Sequence, residues 1–97
     1  MQSLMNDNEL INQINEYPDH NYIWIEIWEA NQYEIQLVVT VNNEKMIKFH
    51  HKVFLLNSLF TDEESPEILK NRGREVRKLL KSQFKNSEIH SNLRYRG

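Results

Sequence analysis

Ninety-seven residues, 39% of them hydrophobic and 27% charged, describe one small globular domain (1–97) rather than a disordered tail or a multidomain protein. The absence of cysteine excludes a disulfide framework, a cysteine-based zinc site and a thiol nucleophile, so packing alone must hold the chain. Net charge is only −2, yet residues 1–45 carry −7 and residues 46–97 carry +5, a polarity that either neutralises itself across the fold or marks a charged partner.

The first residues, Met1 to Asp7, lack the basic and apolar regions of a secretory signal, and no apolar run reaches membrane-spanning length. The expectation is a soluble cytoplasmic protein without membrane contact. Asn, Ile, Lys and Glu are abundant, as in proteins from AT-rich genomes.

Residues 6–17 read as a short helix. Asn6 and Glu9 have capping-box spacing, Leu10, Ile11, Ile14 and Tyr17 share one helical face, and Pro18 ends the run. Three strands follow. In the first, 21–29, Ile23, Ile25 and Ile27 alternate with Tyr22, Trp24, Glu26 and Trp28. In the second, 33–41, Ile35, Leu37, Val39 and Val41 alternate with Glu34, Gln36, Val38 and Thr40. In the third, 45–56, Ile47, Phe49, Val53 and Leu55 alternate with Lys48, His50, Lys52 and Phe54. Ala30-Asn31-Gln32 joins the first pair, and Asn42-Asn43 suits a two-residue hairpin loop before the third. Links this short force antiparallel neighbours.

A second helix starts best at Ser65-Pro66, because a start at Thr61 would bury Pro66 in the helix at a cost of about 3 kcal/mol. Ile68, Leu69, Val76, Leu79, Leu80 and Phe84 form its apolar arc. Arg72 intrudes on that arc. Either the helix breaks at Asn71-Arg72-Gly73, or it runs through and Arg72 meets a carboxylate or the end of the sheet; the apolar register, kept on both sides of Gly73, favours a continuous helix. Residues 86–97 form one more helical turn or a loosely docked tail. The fold expected is α+β: a three-stranded antiparallel meander with a short N-terminal and a longer C-terminal helix packed on one face, and a core including Ile25, Ile27, Leu37, Val39, Phe49, Val53, Val76, Leu79 and Leu80.

The same order of helix, three strands and helix occurs in double-stranded RNA-binding domains. Their Gly-Pro-x-His type loop is replaced here by Ala30-Asn31-Gln32, and their Lys-rich second-helix start by the acidic segment Asp62 to Glu67. Topology without either motif says little about function.

Two surfaces could act. The sheet face away from the core would carry Tyr22, Trp24, Glu26 and Trp28, framed by Lys48, His50 and Lys52. An aromatic row of this kind is typical of protein interfaces, with another protein or a second copy of the chain as partner; Glu26 and Glu34 disfavour base stacking there. The second helix carries Lys70, Arg74, Arg77, Lys78, Lys81 and Lys85 opposite its apolar arc, a candidate nucleic-acid contact. His50 and His51 point to opposite strand faces, so no metal set is expected. No phosphate loop, nucleophile elbow or catalytic constellation is present, and neither a cofactor nor a small-molecule substrate is expected. The sequence therefore reads as a non-enzymatic protein-binding module, of the small, motif-free kind that mobile elements and phages encode as inhibitors of host machinery. A nucleic-acid-binding module using the basic helix is the alternative.

Overall fold

Asn6 starts the chain's first regular element. Its side chain accepts from the Glu9 backbone N–H at 2.9 Å and donates to the Glu9 carboxylate at 2.8 Å, a reciprocal cap that opens helix α1, Asp7–Glu16. Tyr17 is extended, as a residue before proline must be. The computed structural model describes residues 5–17, 20–43, 45 and 52–95. They form α1, strands β1 (Tyr22–Asn31), β2 (Glu34–Asn42) and β3 (Lys52–Phe60), helix α2 (Ser65–Gln83) and strand β4 (Glu88–Asn92). No described helix is long and apolar enough to cross a membrane.

The architecture is α+β, with both helices on one face of the sheet. The sheet has four strands in the order β3-β2-β1-β4. β1 and β2 are antiparallel, with Ile23, Ile25 and Ile27 opposite Val41, Val39 and Leu37. That face is the core, where Ile23, Ile25, Ile35, Leu37, Val39 and Val41 are fully buried under Leu10 and Ile14 of α1 and Leu69, Val76 and Leu80 of α2. Ile27 is partly buried against the same cluster.

Three expectations need correction. The tail is neither helix nor loose arm: it forms β4, parallel to β1, with Ile23 opposite Ile89 and Trp24 opposite His90. The sheet is therefore mixed, not a purely antiparallel meander. β3 occupies residues 52–60 and pairs Val41 with Lys52, so ten residues lie between these partners and the two-residue Asn42-Asn43 hairpin does not form. Its faces are also reversed. Phe54 and Leu56 are buried in the core, whereas Val53 and Leu55 lie opposite Thr40 and Val38 on the other face. The segment Val53-Phe54-Leu55-Leu56 is apolar at every position, so alternation gives no parity; pairing with β2 decides it. A bulge at Leu56 then shifts the parity again before Leu59 and Phe60. Phe49 lies outside the described residues.

Helix α2 runs unbroken through Gly73. Its buried positions are Ser65, Leu69, Gly73, Val76 and Leu80, a stripe narrower than the expected arc. Ile68 is exposed and Leu79 only half-buried at its margins. Arg72 is accounted for by an ion pair with Asp7 at the start of α1. Gly73 has a packing role: a Cβ there would lie 2.6 Å from Leu93 Cδ2 and 3.4 Å from Leu37 Cδ1. The helix starts at Ser65 with Pro66 in its first turn, but the cap comes from Asp62. Its carboxylate accepts from the backbone N–H groups of Glu64 and Ser65, each at 2.8 Å, and from the Ser65 hydroxyl at 3.0 Å.

Two outcomes follow from this packing. Gly73→Ala, which would gain about 1 kcal/mol from helix propensity alone, should gain nothing or lose stability in urea unfolding. In a Leu93→Ala background the same change should become more favourable, and a double-mutant cycle without coupling would refute the contact. The bonds from Ser65 and Glu64 hold the Asp62 carboxyl below the usual aspartate range. Its contribution to stability is thus present above the unfolded carboxylate pKa and lost as pH falls through the lowered folded value. Carboxyl NMR titration should place Asp62 lowest when Ser65 is intact and raise it in Ser65→Ala.

Candidate functional site

Both helices pack on one sheet face, and among the described residues no helix covers the opposite face. Across it run Tyr22, Trp24, Glu26 and Trp28 of β1; Gln36, Val38, Thr40 and Asn42 of β2; Val53, Leu55, Ser58 and Phe60 of β3; and Glu88, His90 and Asn92 of β4. The period of two places each set there.

The aromatic row is split into two environments. Trp24 stacks on His90, with ring centroids 5.7 Å apart at 23°, and lies 6.0 Å from Tyr22. It is half-buried. Trp28 is 36% exposed. The difference follows from strand length: β4 accompanies β1 only from Tyr22 to Glu26 and ends at Asn92, short of Trp28. At this open end Phe60 is 79% exposed, and Tyr33, in the β1–β2 turn, is 66% exposed. Trp28 faces Gln36, Gln36 faces Ser58, and Phe60 stands two residues beyond Ser58. The Ser58 hydroxyl donates to the Glu34 carboxylate at 2.5 Å, which fixes an acid beside the aromatic corner.

The centre of the face is closed. Val38, Thr40 and Asn42 are almost wholly buried, with Trp24 and Val53 on either side of Thr40. The Thr40 hydroxyl has no hydrogen-bond partner among the described residues.

The expected frame of the aromatic row changes. Lys52 lies opposite Val41 on the helical side, with its ammonium 5.8 Å from the Phe54 ring, in a groove shared with Gln13, Glu16 and Tyr17. It cannot border Trp24 or Trp28. Lys48 and His50 lie outside the described residues. His90 takes a place beside Trp24 that sequence reasoning missed. Only the parallel pairing of β4 brings it there, and nothing local signals that pairing. Phe60 was missed too, because the expected strand ended at Leu56 and no alternation carries through Val53-Phe54-Leu55-Leu56 to Phe60.

The basic residues of α2, Lys70, Arg74, Arg77, Lys78 and Lys81, do share one side; Lys85, expected on the same helix, lies past its end at Gln83. Arg74, Arg77, Lys78, Lys81 and Lys85 are exposed and Lys70 is half-buried. Arg74 is 3.7 Å from Glu67 and donates to Asn71 at 2.7 Å. Among the described residues no ion pair forms at Lys70, Arg77, Lys78, Lys81 or Lys85. Lys70, Arg74 and Arg77 line a groove of about 330 Å³ with Ser91, Leu93 and Arg94. Lys81 and Lys85 line another of about 260 Å³ with Phe84, Ser87 and Ile89.

A further groove, of about 530 Å³, lies between Gln32, Thr61, Asp62, Glu63, Pro66 and Tyr95. Its carboxylates have no histidine or other base beside them among these residues, and Asp62 is occupied in capping α2. Among the described residues no three metal-ligating groups converge. Comparison with family models, curated proteins and solved structures returns no match.

The lone hydroxyl of Thr40 gives a direct test of the closed centre. Thr40→Val keeps the shape and removes a buried hydroxyl that has no partner among the described residues, so it should leave the fold unchanged and stabilise it by about 1 kcal/mol in denaturant unfolding. A loss of stability would mean that the hydroxyl is hydrogen-bonded.

Proposed function

We propose that this protein is a non-enzymatic binding module that occupies a surface on a partner protein, using the open end of the sheet face opposite its helices. The carrying observation is the corner formed by Trp28, Phe60 and Tyr33, three large aromatic residues exposed at one end of the molecule. Tryptophan and tyrosine are enriched at interface hot spots, and an exposed aromatic cluster commonly marks an interaction site. Glu34 and Gln36 supply the polar margin that such sites have. Tyr22, Trp24 and Glu26 continue the surface along β1, with Trp24 the less accessible tryptophan.

Occupying a surface is how a protein without catalytic groups inhibits its target, so the inhibitor reading of the sequence belongs to this proposal. Nucleic-acid binding through α2 has less support. Phe84, the aromatic in the basic grooves, is buried edge-on against His20 and offers no face to a base. Salt-labile retention on heparin would favour that alternative.

The test is Trp28→Ala with Phe60→Ala. The double variant should keep the circular dichroism spectrum of the parent and lose a partner captured from lysate of the source cells, while Arg77→Glu with Lys81→Glu keeps it. Light scattering separates the two kinds of partner: a parent dimer that becomes a monomer in the double variant assigns the corner to self-association. Unfolding of the double variant, or unchanged capture, would sink the proposal.

A further inference from the structure

We propose that the outer edge of β4, with the basic seam that α2 forms beside it, is a docking site for an extended acidic segment of a partner protein, which joins the sheet as a fifth strand. The site is separate from the aromatic corner and shares with the preceding proposal only the premise that the partner is a protein.

The two edges of the sheet differ. At β3, the Met5 backbone N–H donates to the Leu55 carbonyl at 3.0 Å, so the start of the chain begins to line that edge. β4 pairs with β1 on its inner side, and among the described residues no strand lies beyond it. Its outward backbone N–H and C=O groups are a template for another strand. An edge guarded against such pairing usually carries lysine or proline on the strand itself. Glu88-Ile89-His90-Ser91-Asn92 has neither.

The cations come instead from the neighbouring helix. Lys81 shares a groove with Ile89, whereas Lys70 shares one with Arg94, so α2 runs antiparallel to β4 and follows its whole length. Lys70, Arg74, Arg77 and Arg94 surround one groove, with Lys81 and Lys85 at the next. Glu67, 3.7 Å from Arg74, is the carboxylate paired with this row among the described residues.

A strand added to β4 directs alternate side chains toward the helical side and the others toward His90 and Asn92. The first set meets the cations, so carboxylates at alternate positions fit it. Backbone bonds then supply affinity, and the charged set supplies selectivity. A second copy of this chain is a poorer occupant, since its own β4 edge brings a second row of cations to the joint. A nucleic-acid backbone would meet the cations but leave the strand's outward backbone groups without the ladder they are arranged to make.

The experiment is fluorescence anisotropy with the purified chain and a fluorescein-labelled decapeptide of alternating Glu and Val. Saturable binding at low salt is expected, weaker by an order of magnitude for the same peptide N-methylated throughout, which keeps the charges and loses every backbone donor. A similar loss is expected for Arg74→Glu with Arg77→Glu, while Trp28→Ala binds as the parent does. Because the N-methyl comparison uses the unmodified protein, it stands even if the charge-reversed variant misfolds. Equal binding of the two peptides would overturn strand addition. Tighter binding of labelled oligothymidylate than of the peptide would assign the seam to nucleic acid instead, and absence of peptide binding would also overturn the proposal. None of these failures touches the Trp28–Phe60 corner.

Discussion

The close approach of α2 to the sheet at Gly73 is the constraint on which the rest of the structure depends. Leu69, Gly73, Val76 and Leu80 are the residues that face down, and the glycine leaves room for Leu93 and Leu37. A glycine inside a helix costs about 1 kcal/mol relative to alanine. Here the cost is offset by letting Leu93, just past the end of β4, pack beneath the helix. The other end of β4 is held as firmly. The Ser87 hydroxyl donates to the His20 carbonyl at 2.6 Å, the Glu88 N–H donates to the Asn21 carbonyl at 2.8 Å, and Phe84 meets the His20 ring edge-on. Parallel pairing of a five-residue strand is a weak interaction by itself. Contacts at both ends make it specific.

The charge asymmetry of the sequence survives folding. Arg72 and Asp7 tie the two halves at one point, joining α2 to the start of α1. Arg77, Lys78, Lys81 and Lys85 remain outside any such pair among the described residues. Exposed pairs contribute little to stability, so fold stability does not demand that these charges be matched. What the separation provides is a molecule whose net charge is small but whose α2 side is basic.

Much of this architecture was legible in the sequence, and the failures share a cause. β1 and β2 are each alternating, and α1 and α2 each carry a start signal and a helical stripe, so local pattern and tertiary role agree. The expected third strand stops short of Phe60 and has its faces reversed because Val53 to Leu56 carries no alternation. β4 was missed because its one branched apolar residue, Ile89, gives no pattern, and its partner Tyr22 is far away in sequence. Arg72 was legible as a residue in need of a carboxylate, although nothing local named Asp7. The candidate site was half legible. Trp28 is exposed as the alternation implies, whereas the frame of Lys52 depended on the parity of β3 and fell with it.

The division of the aromatic row follows from the same missed strand. Without β4, Trp24 and Trp28 would be equivalent, two residues apart on one face of β1. With it, His90 stacks on Trp24 and turns that residue into part of the joint between strands. β4 stops opposite Glu26, and the row opens at the next residue on that face. The length of β4 therefore sets two things at once: which tryptophan a partner can reach, and where the free backbone edge lies. The open aromatic corner is near the β1–β2 turn, beyond the strand, and the free edge is along the strand itself. A longer β4 would cover Trp28 as it covers Trp24, and a missing one would expose both tryptophans and return the edge to β1. Each surface exists in its present form because the chain returns to the sheet for five residues and then leaves it.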